Sequence, residues 1–362
     1  MNEQIAVLAR FPAVGKVATL APYGNGHINA TYLVTTEDAR RLVLQRINTN
    51  IFSDAAALME NIAAVTTHVR AKMQAAGKDA TRCTLHPLTT DGGALFCQTP
   101  DGSCWRVYDY VEGTVSYDTV NSPSAFEACG EAFGYFQQQL ADFPAERLHT
   151  VIPNFHHTPL RYETFLRSVE RDAAGRAHTV QREIAFVRER AEFMQTLERA
   201  HAEGRLPLRV THNDTKLNNI LFDAASGLPV CVIDLDTVMP GYSGNDFGDS
   251  IRFGANTAAE DERDLARVSL DLELYRHYAR GFVRGFGDAL TDEERALLPI
   301  GARMMTLECG MRFLTDYIDG DHYFAIHREG QNLDRCRTQL KLVADMESKW
   351  DEMHKIVMEE KR

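Results

Sequence analysis

The sequence predicts an α+β protein of two lobes: a small β-rich N-terminal lobe over residues 1–112 and a larger helical C-terminal lobe over 113–362. Three observations predict it. A chain of 362 residues is long for one hydrophobic core and suits two. Strand-like runs crowd the first third. After Glu112-Gly113 helix-period stripes dominate, interrupted by one short β island.

The elements follow in order. Residues 17–23 read as a strand entering a turn at Gly24-Asn25-Gly26, and Ala30–Thr35 reads as the returning strand. Leu42–Ile47 is the next strand. Ser53–Gln74 is a helix, with Ser53 as its cap and Leu58, Ile62, Val65 and Val69 at helical spacing. Ala94–Gln98 and Cys104–Val111 are strands separated by the turn Pro100-Asp101-Gly102. In the second lobe Ser124–Gln139 is helical. So is Arg182–His201, where Ile184, Val187, Ala191, Met194 and Leu197 form one stripe. Ile220–Phe222 and Pro229–Leu235 make the β island. A last helix carries Cys336, Leu340, Val343, Met346, Trp350, Met353 and Val357 on one face. Ligands commonly bind between two such lobes, here with a hinge near 109–113.

Composition excludes several classes. Residues are 44% hydrophobic and 25% charged, an ordinary globular mixture. With 39 basic and 51 acidic residues the net charge is −12, which disfavours nucleic acid and anionic membranes as partners. An anionic ligand then needs a local device of backbone amides, a few cations and a metal ion. The seven cysteines show no metal-binding spacing and read as reduced thiols of a cytoplasmic protein. The start, MNEQIAVLARFP, lacks the pattern of a signal peptide, and no run approaches a membrane helix.

The most informative run is VTHNDTKLNNILFD, residues 210–223. Around Asp214 stand His212, Lys216 and Asn219, the H-x-D-x-K-x-x-N spacing of a kinase catalytic loop. A carboxylate there can take the proton of an attacking hydroxyl. A nearby lysine neutralises charge on a transferred phosphoryl group, and an asparagine oxygen can reach Mg²⁺. Downstream, the apolar strand VCVIDLDT ends in Asp234 and Asp236, so Asp234 is the second candidate metal ligand. Alone, the first motif is a turn and the second a solvated strand end. Together and in order they point to phosphoryl transfer.

These segments, with GNGHINATY (24–32), LVLQRIN (42–48), LMENIAAVTTH (58–68), DFGDSIRFGAN (246–256) and ECGMRFLTDYIDGDHYF (308–324), resemble the aminoglycoside phosphotransferase/choline kinase superfamily. Within it the sequence looks most like the N-acetylhexosamine 1-kinase branch. The resemblance implies a two-lobed protein-kinase-like fold. It implies ATP and Mg²⁺ as cofactors, a small-molecule sugar as partner and transfer to the anomeric hydroxyl. Asp214 is then the base, with Lys216 and His212 beside it. Asn219 and Asp234 are metal ligands, and Asp236 is a supporting or second-metal group. Gly24, Gly26 and Asn29 belong to the nucleotide loop, although a lone G-x-G is also an ordinary hairpin turn. The phosphate-contacting strand lysine is missing from LVLQRI. Either Arg46 substitutes, or Gln45 holds the position and the charge comes from elsewhere. Glu60 is the candidate partner of that cation, or an exposed helix glutamate.

The adenine pocket would use backbone groups near Asp109 and Val111, over an apolar floor of Leu221 and Ile233. Asp249 reads as a helix cap. Arg312 and Tyr323 are the sugar-site candidates, although Glu308, Arg312 and Asp316 also fit a surface ion-pair ladder. His156-His157 reads as a loop pair and Trp350 as a packing residue. Two rivals stay open. An aminoglycoside, choline or another amino or sugar alcohol could be the acceptor, with Asp316, Asp319 and Asp321 as a cation pocket. A nucleotide-binding regulator without turnover is the other. The sequence leaves oligomeric state open.

Overall fold

A computed structural model describes residues 2–24, 28–120 and 122–361. The chain forms two compact units. One gathers Met1–Val115, Glu146–Pro153 and Leu221–Met239; the other holds Ser116–Ala145, Asn154–Ile220 and Pro240–Arg362. The first unit therefore passes the expected end at residue 112 and takes in the β island, because that island hydrogen-bonds to the strand at Thr114–Val115.

The first unit opens with helix α1 (Asn2–Leu8) and continues through β1 (Val17–Pro22), β2 (Ala30–Thr36) and β3 (Arg41–Ile47). Then come α2 (Ala55–Ala75), β4 (Cys97–Gln98), β5 (Cys104–Asp109) and β6 (Thr114–Val115). Five strands form an antiparallel sheet in the order β1-β2-β3-β5-β4. Val34, Leu42, Leu44, Trp105 and Val107 line one face and pack with Val7, Leu8, Phe11 and Val14. Alternation along β3 puts Arg46 on the side of Leu42 and Leu44, and Gln45 on the opposite side. Helix α2 is capped by Asp54, whose carboxylate accepts from the Ala57 N–H, rather than by Ser53.

The second unit supplies α3 (Pro123–Gln139), α4 (Thr158–Arg171), α5 (Gln181–Arg188), α6 (Thr196–Ala202) and β7 (Arg209–Thr211). The single helix expected over 182–201 is thus two helices with a 3₁₀ turn between them. Ile184, Val187, Met194 and Leu197 are nevertheless all buried. A tighter turn keeps the same stripe inward, so periodicity reports burial and not backbone continuity. Next come β8 (Ile220–Asp223) and β9 (Pro229–Val232), which with β6 form a three-stranded sheet in the first unit, and then β10 (Met239–Gly241).

Five helices complete the chain: α7 (Ser243–Gly254), α8 (Leu272–Phe286), α9 (Asp292–Asp319), α10 (Gln331–Ser348) and α11 (Trp350–Glu359). The expected last helix breaks at Lys349, whose ψ of 15° leaves the helical range. Glycines set two of the helix packings. A Cβ at Gly130 or Gly134 of α3, or at Gly281 or Gly285 of α8, would meet the facing backbone. Gly248 and Gly301 play the same part between α7 and α9. Among the described residues no helix is long and apolar enough to cross a membrane.

Candidate active site

In the second unit the chain leaves β7 through residues 212–216 and enters a 3₁₀ turn at Leu217–Asn219. Lys216 Nζ lies 2.7 Å from Asp214 Oδ1. Asn219 Nδ2 donates to the Asp214 carbonyl at 2.8 Å and to Oδ2 at 3.2 Å. The Asp214 side chain is 21% exposed, so the carboxylate is held on two sides and remains open to a ligand.

Helix α7 fixes this loop from beneath. Asp246 is fully buried and accepts from the backbone N–H of His212 at 2.8 Å and of Asn213 at 2.7 Å, and from Gln137 Nε2 at 2.6 Å. Burial pushes its carboxyl up, while His212 and these donors pull the other way. Asp249 accepts from the Thr215 N–H at 3.1 Å and pairs with Arg252 at 2.9 Å. It lies inside α7, whose first residue is Ser243, so it is not the cap expected. Thr215 Oγ donates to the Asp246 carbonyl, and Ser250 Oγ to the Thr215 carbonyl, both at 2.6 Å. His212 is also corrected. It is completely buried edge-on against Phe133 and Phe136, so it shapes the loop and does not touch reactants. Asp246 and Asp249 stand three apart on one helix face, a spacing visible in the run DFGDSIR.

A second cluster gathers around α9. Glu308 is buried; it meets His156 Nδ1 at 3.0 Å and accepts from Thr158 Oγ at 2.6 Å. His156 and His157 are not an idle pair: His157 caps α4, and His156 also reaches the Asn213 carbonyl at 3.2 Å. Asp316, likewise buried, accepts the backbone N–H groups of His322, Tyr323 and Phe324 and the Asn332 amide. The ladder of Glu308, Arg312 and Asp316 therefore does not form, because both carboxylates turn to other partners. Among the described residues Arg312 makes no ion pair; its Nη2 stands 3.4 Å from the Tyr323 hydroxyl. Its guanidinium lies 5.4 to 5.9 Å from the rings of Phe155, Tyr323 and Phe324.

In the first unit the strand cation comes from β5. Arg106 stands opposite Gln45 in register and is 1% exposed. Its Nε donates to Gln45 Oε1 at 3.0 Å, and Nη1 and Nη2 reach the two Asp236 oxygens at 2.7 and 2.8 Å. Asn29 Nδ2 donates to the same carboxylate at 2.7 Å. Burial opposes the charge on Arg106, yet Asp236 holds its pKa above the ordinary value. Arg46 is exposed on the other face of the sheet from Gln45, and the cation beside Gln45 is the buried Arg106. Glu60 is exposed and meets His149 at 2.7 Å instead of a strand cation. Asp236 is paired with Arg106 and accepts from Asn29, so its contacts among the described residues are structural ones, not the metal contact expected. Asn29 donates to that carboxylate, and its side-chain oxygen accepts from the Asn48 N–H. An arginine within the apolar run CWRVY was the available signal.

The other first-unit candidates are placed as follows. Gly24 takes φ 75°, which glycine adopts freely; Gly26 lies outside the described residues. The Asp109 N–H donates to the His86 carbonyl, and the Asp109 side chain contacts Arg40 and His86. Burial resists its ionisation, but those two donors hold its carboxyl below the usual range. Val111 is buried and its carbonyl accepts from Thr114. Leu221 and Ile233 are half-buried. Asp234 is exposed at φ 58° and ψ 56°, a left-handed conformation that places its carboxylate at the end of the β island. In the second unit the Asn219 amide nitrogen is engaged with Asp214, and its amide oxygen is a hard donor of the kind Mg²⁺ takes; in the first unit the Asp234 carboxylate is a donor of the same kind.

A β-sheet unit, a helical unit and a loop presenting aspartate, lysine and asparagine define the kinase-like class of small-molecule phosphotransferases. The sequence pattern of the phosphotransferase enzyme family (APH) matches residues 19–286, and the chain belongs to that family. Solved structures show the same fold. An aminoglycoside phosphotransferase from Alicyclobacillus acidocaldarius is 14% identical with a TM-score of 0.64, covering 98% of this chain and 96% of that one. Amicoumacin kinase in complex with AMP-PNP, Ca²⁺ and Ami is 15% identical with a TM-score of 0.61, covering 94% and 93%. Choline kinase from Streptococcus pneumoniae is 11% identical with a TM-score of 0.55, covering 95% and 99%.

Proposed function

We propose that the protein is an ATP- and Mg²⁺-dependent kinase that phosphorylates the anomeric hydroxyl of an N-acetylhexosamine. The observation that carries the choice of acceptor is the fate of charge around α9. The acidic tract that would suit a cationic acceptor is spent inside the protein. Asp316 binds backbone amides, Asp319 binds Ser168 and Arg171, and Asp321 binds Arg176 and Asn332. What remains is Arg312, which makes no ion pair among the described residues, beside exposed Tyr323, a pairing that supports hydroxyl and amide recognition on an apolar platform.

In this reading Asp214 accepts the proton of the sugar O1 as that oxygen attacks the γ-phosphorus and the bond to ADP breaks. Lys216 offsets the charge on Asp214 and on the transferred group. Asn219 and Asp234 would hold Mg²⁺, which supplies neutralisation of the phosphate oxygens. The nucleotide and divalent ion seen with amicoumacin kinase support the same cofactors here. The test is an ATP-consumption screen of N-acetylhexosamines, unmodified hexoses, aminoglycosides and choline. Turnover with an N-acetylhexosamine is expected. Turnover only with a cationic acceptor overturns the sugar reading, and ATP binding without turnover on any acceptor leaves a regulator.

A further inference from the structure

Asn213, immediately before Asp214, sits at φ 64° in the left-handed region. Such backbone persists only where the surroundings fix it. Here the peptide is gripped at both ends: its N–H donates to Asp246 at 2.7 Å, and its carbonyl oxygen lies 3.2 Å from His156 Nε2. The other ring nitrogen, Nδ1, lies 3.0 Å from Glu308 Oε1, while Thr158 holds Oε2 at 2.6 Å. A carbonyl and a carboxylate only accept, so both ring nitrogens must donate, and only the imidazolium does that. The His156 side chain is 11% exposed and that of Glu308 2%, so water does not readily replace either bond.

We propose that His156 is a positioning residue: as an imidazolium it clamps the Asn213 carbonyl to Glu308 and thereby aims the Asp214 carboxylate. The charged groups around it agree. Glu308 from α9 and Asp249 from α7 act on it directly; Arg312 of α9 and Arg161 of α4 act on Glu308, and Arg252 of α7 and Lys216 of the loop act on Asp249. Burial works against the charge on His156, but Glu308 and then Asp249 raise its pKa above the ordinary value. Burial likewise resists ionisation of Glu308, yet His156 keeps its carboxyl below the usual range, so the proton resides on the ring. With the folded pKa raised, the clamp is fully formed below the unfolded value of about 6.5 and is lost as pH rises through the folded value.

The inference rests on Asp214 being the phosphoryl-transfer base, but the charge on His156 is readable without turnover. In nitrogen-15 histidine NMR of the full chain at about pH 7, the resonance lost in His156→Gln is expected at imidazolium shifts. In Glu308→Gln the same resonance should titrate at lower pH. In kinetics, His156→Gln should lower kcat about 10- to 100-fold, the scale for misplacing a reacting group. It should leave KM for ATP within about twofold and abolish the alkaline limb of kcat, and Glu308→Gln should move that limb to lower pH. If no alcohol acceptor is found, the rates are read on ATP hydrolysis, so failure of the sugar reading stays separate. A neutral His156 at about pH 7 overturns the proposal, as does a His156→Gln enzyme with the normal rate and limb. Should His156→Gln not fold, a limb and resonance unmoved in Glu308→Gln overturn it equally.

Discussion

At the scale of single side chains, the loop around Asp214 was the most legible part. The spacing of Asp214, Lys216 and Asn219 survives in three dimensions as a bonded set. Asp214→Asn should lower kcat by at least ~10²-fold, the scale of a positioned base, with ATP affinity nearly unchanged in a binding titration. Normal turnover would remove Asp214 from that role. Arg312→Ala should raise KM for the sugar by roughly 2–3 kcal/mol of lost charge-assisted bonding while KM for ATP holds; a parallel rise in both would assign Arg312 to the fold. Arg46 and Arg106 show why the rest was hidden. Neighbours along a strand point to opposite faces, and which face meets the carboxylate depends on β5 lying beside β3, a pairing between residues far apart in sequence. Arg106→Ala strands Asp236 in the interior. A loss of about 3–5 kcal/mol is expected, read as a lower urea midpoint, and an unchanged midpoint would contradict the buried pair.

Elements were read best where apolar periodicity is strong. The strands from β1 to β3, helix α2 and helix α3 fall close to their expected bounds. The failures have physical causes. Helix α9 contains Pro299, Gly301 and Gly310, residues that signal interruption, yet it runs unbroken because its capping box and close helix packing outweigh local preference. The stripes at 182–201 and 336–357 are real but span breaks, since burial tolerates a change of turn that backbone continuity does not. Glycine is a weak helix former, yet those of α3 and α8 are contact surfaces. Gly281→Ala would drive a Cβ into the Glu127 carbonyl and should cost about 1–3 kcal/mol by overpacking. Gly244→Ala meets only ordinary contacts from 3.5 Å and should leave thermal stability unchanged or slightly raised, as helix propensity favours alanine. Equal losses in the two variants would reject the close-packing account.

At the scale of the molecule, the change of texture near residue 112 announced two units, and two are found. Their composition was less legible: a strand pairing draws Leu221–Met239 back to the first unit, so Asn219 and Asp234 belong to different units although only fifteen positions separate them in sequence (234 − 219 = 15). Family membership rests on residues 19–286, whereas the acceptor candidates Arg312 and Tyr323 lie beyond that stretch. In the proposed reading, phosphoryl transfer and acceptor choice thus draw on different parts of the chain. The most direct measurement is product analysis by phosphorus and proton NMR after incubation with ATP, Mg²⁺ and each N-acetylhexosamine, with Asp214→Asn as control. The account predicts a sugar 1-phosphate and ADP from the unaltered protein and almost none from the variant. A 6-phosphate, or equal product from Asp214→Asn, would contradict it.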